Sequence, residues 1–294
     1  MTPDPATVTA PGLQSPDFAA LRKTAAQLRL DILQMIYEGQ SGHPGTSLSC
    51  IDMLTTLWFA VMRHDATKPE CPNRDRFILS KGHGAPALYA TLMAAGYIPK
   101  EEIHTLRKIH TNLQGHPASR YVKGVDVSTG SLGQGLSMGV GMALGLRLDN
   151  NPAFVYVLMG DGELQEGNIW EAALSAPHHK VNRLIGIVDR NRLQIDGSTE
   201  CVKALGEVAP KFAAFGWNVL EIADGNNIEQ FYEAVTQARQ MAETSDRPTV
   251  IVANTTKGKG VSFMENQAGW HGKPPNTDQY EQARAELVAA LENL

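Results

Sequence analysis

Apolar side chains recur along this chain in two periods, and the alternation of the two predicts an architecture. After Asp17, a ready helix cap, Leu21, Ala25, Leu28, Ile32 and Met35 follow at helical spacing. That helix ends at "EGQSGHPG", and a second is predicted over 48–62. Five short apolar runs then appear: "RFILS" at 76–80, "FVYVLMG" at 154–160, "LIGIVD" at 184–189, "NVLEIA" at 218–223 and "TVIVANT" at 249–255. Most are continuous rather than alternating, which is how strands read when helices cover both faces of a parallel sheet. Helical patterns over 132–148, 165–176, 206–215 and 228–241 fall between them, and one more closes the chain after Pro275. Strands and helices in alternation, joined by right-handed crossovers, predict the α/β class: a doubly wound, mainly parallel sheet with helices on both faces. The proline-rich residues 1–16 read as a disordered tail, which leaves 17–294 as a single domain without internal repeats.

Composition narrows the partners. A net charge of -5 with no basic cluster gives no footprint for a nucleic acid or an anionic membrane. Cys50, Cys71 and Cys201 are odd in number and far apart, so neither a disulfide framework nor a thiolate zinc site is expected, and a reducing cytoplasm fits. The first residues lack the basic start and apolar stretch of a signal peptide, and no apolar run approaches the roughly 18 residues of a membrane span.

In doubly wound sheets ligands bind beyond the carboxyl ends of the strands, where strand order reverses. Asp161, in "GDGELQEG", follows the second run, and Asn191, in "DRNRLQIDG", follows the third, thirty residues on. A carboxylate, a carboxamide oxygen and a loop carbonyl are hard donors suited to Mg²⁺ or Ca²⁺, and so small a set leaves room for phosphate oxygens. The stretch "GSLGQGLSMGVG" places glycines 130, 133 and 135 at the start of a helix, where free amides suit an anion; read alone it is equally a tight turn. It lacks the dinucleotide spacing, and "TTKGKG" lacks the P-loop pattern. Lys257 and Lys259 therefore read as facing an anion or as a solvated loop. His178 and His179 read as a solvated helix end, and Trp58 and Trp170 as core.

Taken in order, "SGHPG", "SKGHGAPALYA", "GHP", "STGSLGQG", "GDGELQEG", "DRNRLQIDG" and "GWHGKPP" give the chain a strong resemblance to the transketolase family, over about residues 21–275. The part it resembles is the thiamine-diphosphate-binding N-terminal one. That resemblance implies the pyrophosphate domain of the thiamine diphosphate-binding fold. It also implies thiamine diphosphate with Mg²⁺ as cofactors, Ca²⁺ being able to substitute. Carried over by position, Asp161, Asn191 and the Leu193 carbonyl are the metal ligands. Gly162, Gly130, Ser131, Leu132 and His83 contact the cofactor, and Asn191 and His271 do so as well. His43, His116 and His271 line the channel to the reactive carbon, and Glu166 is an acid at a subunit interface. Ser131 departs from the family, which usually has proline there. The alternative for Glu166 is an acid that favours the first turn of the next helix.

The activity implied is transfer of a two-carbon ketol unit from a ketose, free or phosphorylated, to an aldose. Imidazoles titrating near their ordinary pKa of about 6.5 would move the protons. In the family a further region supplies the glutamate at the aminopyrimidine, an aromatic pocket and basic residues for the sugar phosphate. A separate C-terminal subunit is therefore expected, in a heterotetramer, with no nucleic acid and no membrane. Two alternatives stand beside this. One is a subunit of another thiamine diphosphate enzyme, such as a 2-oxo acid dehydrogenase α chain or a deoxyxylulose phosphate synthase relative; the other is a non-catalytic thiamine diphosphate-binding protein.

Overall fold

The computed structural model describes residues 16–294, so the tail expected over 1–16 lies, but for Pro16, outside the described residues. Helix α1 (Phe18–Gly39) begins as its sequence predicts, with Asp17 Oδ1 accepting from the Ala20 amide at 3.0 Å. Helix α2 (Pro44–Thr56) starts four residues before the expected 48. Pro44 lies in its first turn, where a missing N–H costs nothing, and every residue of the helix is buried, so no polar face marks where it begins. It continues through a π-helical turn over Leu57–Val61. After strand β1 (Arg76–Leu79) comes helix α3 (Ala85–Ala94), which the sequence pattern does not predict. Its residues 85–93 are all buried, and a helix apolar all round has no 3.6-residue signal to read.

Helix α4 (Gln134–Leu148), strand β2 (Val155–Gly160), helix α5 (Gly167–His178) and strand β3 (Leu184–Arg190) follow near their expected positions. Helix α5 begins at 167 rather than 165 because Gly162–Gln165 forms a 3₁₀ turn. Beyond β3 a small hairpin, β4 (Leu193–Gln194) and β5 (Gly197–Ser198), leads into the short helices α6 (Thr199–Lys203) and α7 (Ala209–Ala214). The helix expected over 206–215 is thus shorter: Gly206 is left-handed, at φ 56°, and Pro210 belongs in a first turn. Strand β6 (Asn218–Ile222), helix α8 (Ile228–Thr244), strand β7 (Thr249–Asn254) and helix α9 (Thr277–Glu292) complete the chain.

The main sheet is fully parallel, in the order β1-β2-β3-β7-β6. Its side chains divide between two cores. Val155, Val157 and Met159 of β2 pack with Leu136 of α4, Ile169 of α5 and Phe212 of α7; Tyr156 and Leu158 pack with Ile32 of α1, Leu54 of α2, Leu88 of α3 and Phe231 of α8. Each such aliphatic or aromatic side chain contributes roughly 1.5–3 kcal/mol by burial. Helices on both faces explain why the strands read as continuous apolar runs. From β3 the chain crosses to the far edge at β6 and returns to β7, so strand order reverses beside β3. Among the described residues no helix is long and apolar enough to cross a membrane.

Candidate functional site

The carboxyl ends of β1, β3 and β7 are tied together around one buried ion pair. Asp189, near the end of β3, accepts from Lys81 Nζ, from Ser49 Oγ of α2 and from Thr255 Oγ1 just beyond β7. Burial alone would raise its carboxyl, but the Lys81 ammonium and the hydroxyl donors hold it below the ordinary carboxylate value. Lys81 and Asp189 are both fully buried, so losing either partner would cost about 3–5 kcal/mol. This clamp fixes the crevice in which the expected site residues lie.

Gly160 of β2 is in register with Asp189 of β3, so Asp161 emerges beside the chain that turns through Arg190 and Asn191. Asp161 is 1% exposed. Its Oδ1 accepts from the Gly162 amide at 2.8 Å and its Oδ2 from the Arg192 amide, with Arg190 Nη1 at 3.5 Å. Burial, with the nearby Asp189 charge, pushes its carboxyl up to about 6. Asn191 is also buried, and its Oδ1 accepts from the Leu193 amide at 3.1 Å. The turn 191–193 thus gathers one carboxylate, one carboxamide and the Leu193 carbonyl into one corner.

Opposite lies the glycine-rich segment. Gly133 caps α4 at φ 87°, a left-handed conformation that a side chain would strain, and a Cβ there would meet Glu166 Cβ at 2.8 Å. Gly130 lies against the His116 ring, which a Cβ would approach to 3.0 Å. Leu132 is on the surface, and so is Ser131, whose carbonyl accepts from the Gln134 amide at 3.4 Å. Gly162 backs onto Gln194, whose Cβ would be 3.2 Å from an added Cβ. Glu166 is exposed at the N-cap of α5 and makes no capping hydrogen bond; it stands at the positive end of that helix, the position the first-turn account gives it.

Of the four histidines expected to converge, three do so directly. The rings of His43, His83 and His271 lie 5.0–5.7 Å apart, with His83 and His271 stacked. His116 stands apart from that trio, against Gly130 and near Arg107. The expectation of imidazoles titrating near neutrality is corrected. Burial first, then the Arg107 and His116 charges, lowers His43 to about 4; burial and the Lys257 ammonium lower His271 to about 3. Burial holds His83 well below its ordinary value, so the trio is neutral at pH 7 in the chain by itself; His116, on a more exposed ring, is lowered by partial burial and the Arg107 charge. His178 and His179 are exposed at the end of α5, as expected, and Trp58 and Trp170 join the two cores.

Lys257 is the residue that sequence alone places least well. It is 1% exposed, not solvated, and its Nζ donates to the Leu193 carbonyl at 3.3 Å and to His271 Nδ1 at 3.0 Å. It makes no ion pair with any carboxylate of the described residues, and burial lowers its ammonium to about 8. A signal for it exists in the chain: Lys257 follows β7 as Asp161 follows β2. Lys259 is partly exposed and pairs with Glu265.

With this geometry established, comparison with known proteins identifies its kind. Residues 21–291 match the family described as transketolase, thiamine diphosphate binding domain. The chain belongs to the transketolase family. It is 44% identical over 266 residues to an apulose-4-phosphate transketolase subunit of Phocaeicola vulgatus, covering 90% of this chain and 93% of that one. To the 6-deoxy-6-sulfo-D-fructose transketolase subunit of a Clostridium species it is 42% identical, covering 91% and 96%. Human transketolase is 38% identical over 275 residues, but there the chain spans only 43% of the relative. The crystal structure of transketolase from Campylobacter jejuni superposes with a TM-score of 0.86 at 33% identity, again covering 43% of that protein.

Transketolases use thiamine diphosphate with a divalent metal, and the residues here fit that pair. The 191–193 corner offers hard oxygen donors of the kind Mg²⁺ takes. Lys257 is a buried cation in want of an anion. The His43 Nδ1 and Thr129 Oγ1 atoms, on the same crevice, are buried with no hydrogen-bond partner in the chain, and buried polar atoms are rarely left so without a ligand or water to meet them.

Proposed function

We propose that this chain is the N-terminal subunit of a two-chain transketolase, which transfers a two-carbon ketol unit from a ketose or ketose phosphate to an aldose or its phosphate. The observation that carries the reading is the crevice itself: an oxygen-donor corner at Asp161, Asn191 and Leu193, faced by the buried Lys257 and the histidine trio. In this reading Asp161, Asn191 and the Leu193 carbonyl hold Mg²⁺. Gly162, the 130–132 segment, His83 and Lys257 hold the diphosphate, and Glu166 faces a neighbouring subunit. Bound thiamine diphosphate supplies a carbon nucleophile and an electron sink for breaking a carbon–carbon bond.

The chain's own part is proton placement. Lys257 donates to His271 Nδ1, so the neutral ring carries its proton on Nε2 and can donate to a substrate oxygen. His43, neutral, and His116, near the same opening, accept or donate hydrogen bonds to sugar hydroxyls. Replacing His271 or His116 with alanine is expected to lower kcat/KM roughly 10²–10⁴-fold, as for general acid–base groups, with little change in cofactor affinity. His178→Ala, at an exposed helix end, is expected to change neither. Steady-state kinetics and calorimetry on the two-chain complex check this, and equal losses at His178 and His271 would contradict it.

The partner of this reading is a C-terminal transketolase subunit in a cytoplasmic heterotetramer, with the cofactor between the chains. Support comes from the relatives named as subunits, which the chain covers almost completely. Further support comes from apolar residues left on the surface around the crevice, namely Leu132 (36% exposed), Met138 (38%) and Ile195 (65%). The test is an assay of the co-expressed pair against a panel of ketose donors and aldose acceptors, read by mass spectrometry. A product heavier than the acceptor by one glycolaldehyde unit is expected; decarboxylation of a 2-oxo acid with no such product would favour a different thiamine diphosphate enzyme.

A further inference from the structure

Glu163 has no part in the ligand sets above, yet it is 2% exposed in the middle of them. Its Oε1 accepts from the Ser80 hydroxyl and from the Gly133 amide at 2.9 Å, and its Oε2 accepts from the Gly160 amide at 3.1 Å. Those three donors belong to three separate stretches of the crevice wall: the end of β1, the glycine-rich segment that opens α4, and the end of β2. The packing leaves the segment no slack, for a Cβ on Gly135 would collide with the Ser80 side chain. A side chain that held only its own 3₁₀ turn would need none of these partners.

We propose that Glu163 is a positioning residue: its carboxylate sets the distance between the 130–133 segment and Asp161, and so the span across which a metal-held diphosphate fits. This rests on the reading that these loops hold the diphosphate. Two oxygens spread over three donors are needed, since a carboxylate accepts at both ends and a carboxamide at one. In Glu163→Gln the amide oxygen can keep Gly133 and Ser80, while its NH₂ faces the Gly160 N–H, donor to donor. The junction between the segment and β2 then loosens without a cavity being made.

The experiment compares four forms of the two-chain complex: wild type, Glu163→Gln, Asp161→Ala, and Phe231→Leu, a buried change in α8 on the other face of the sheet. Thiamine diphosphate affinity at saturating Mg²⁺ is measured by calorimetry, together with hydrogen exchange of residues 130–135 without cofactor and the thermal midpoint. Expected for Glu163→Gln is affinity roughly ten-fold weaker, as for loss of one hydrogen bond to a charged group, with faster exchange at 130–135. Phe231→Leu should lower the thermal midpoint at least as far and leave affinity and exchange at wild-type values. Wild-type affinity in Glu163→Gln beside lost affinity in Asp161→Ala would overturn the role of Glu163 alone. Wild-type affinity in both would overturn the reading of the loops. An equal loss of affinity in Phe231→Leu would make Glu163 merely structural, and would also overturn the proposal.

Discussion

Asp161→Ala abolishes Mg²⁺-dependent binding of thiamine diphosphate to the complex and leaves the fold intact: this is the expected result at the metal corner. Of the three expected ligands only Asp161 carries charge, Asn191 and the Leu193 carbonyl being neutral. A diphosphate entering without a cation would meet the buried carboxylates of Asp161 and Asp189, so the metal is what makes the anion welcome. Changing outer partners of a metal site typically costs roughly 10–100-fold in affinity, and removal of the anionic ligand itself should exceed that. The fold should survive for a reason visible in the ligand-free chain. Asp161 has its pKa raised from 3.8 to about 6, so its charged form is disfavoured on folding, and stability is lost as pH rises through that interval. The shift corresponds to a cost on the order of 3 kcal/mol at neutral pH. Alanine removes that cost but strands the Gly162 and Arg192 amides, at about 1–3 kcal/mol each, so the two changes nearly offset. Calorimetry gives the affinity and a thermal melt of the ligand-free protein gives the stability. Unchanged affinity would remove Asp161 from the site.

Much of this is legible in the sequence, and what is not has physical reasons. Five parallel strands can be read because burial on both faces makes continuous apolar runs, and the ends of those runs point directly to Asp161 and Asn191. Helix α3 is invisible because it is buried all round, and α7 is overextended because apolar spacing ignores what Gly206 and Pro210 do to the backbone. Lys257 sits beyond β7 as the two expected ligands sit beyond β2 and β3, but the glycines that follow make it look like solvated loop. Glu163 is hidden inside "GDGELQEG", where an acid at a helix start is unremarkable; its partners at 80, 133 and 160 come together only in the folded chain. The histidines are spread from 43 to 271, so sequence can name them through resemblance but cannot tell that burial lowers all four.

The second large effect concerns the partner. In the proposed reading, thiamine diphosphate held by this crevice still wants the glutamate and aromatic pocket that transketolases place against its aminopyrimidine, and the proposed C-terminal subunit supplies both. Leu132, Met138 and Ile195, apolar and exposed beside the diphosphate loops, mark where it would seat. Turnover should therefore appear only on mixing, and affinity for the cofactor should rise with it. The direct measurement is ketol transfer, with saturating thiamine diphosphate and Mg²⁺, by this chain alone, by its transketolase C-terminal partner alone, and by the two together. The account predicts activity in the mixture and none above background in either chain by itself; a rate for this chain alone equal to that of the mixture would contradict it.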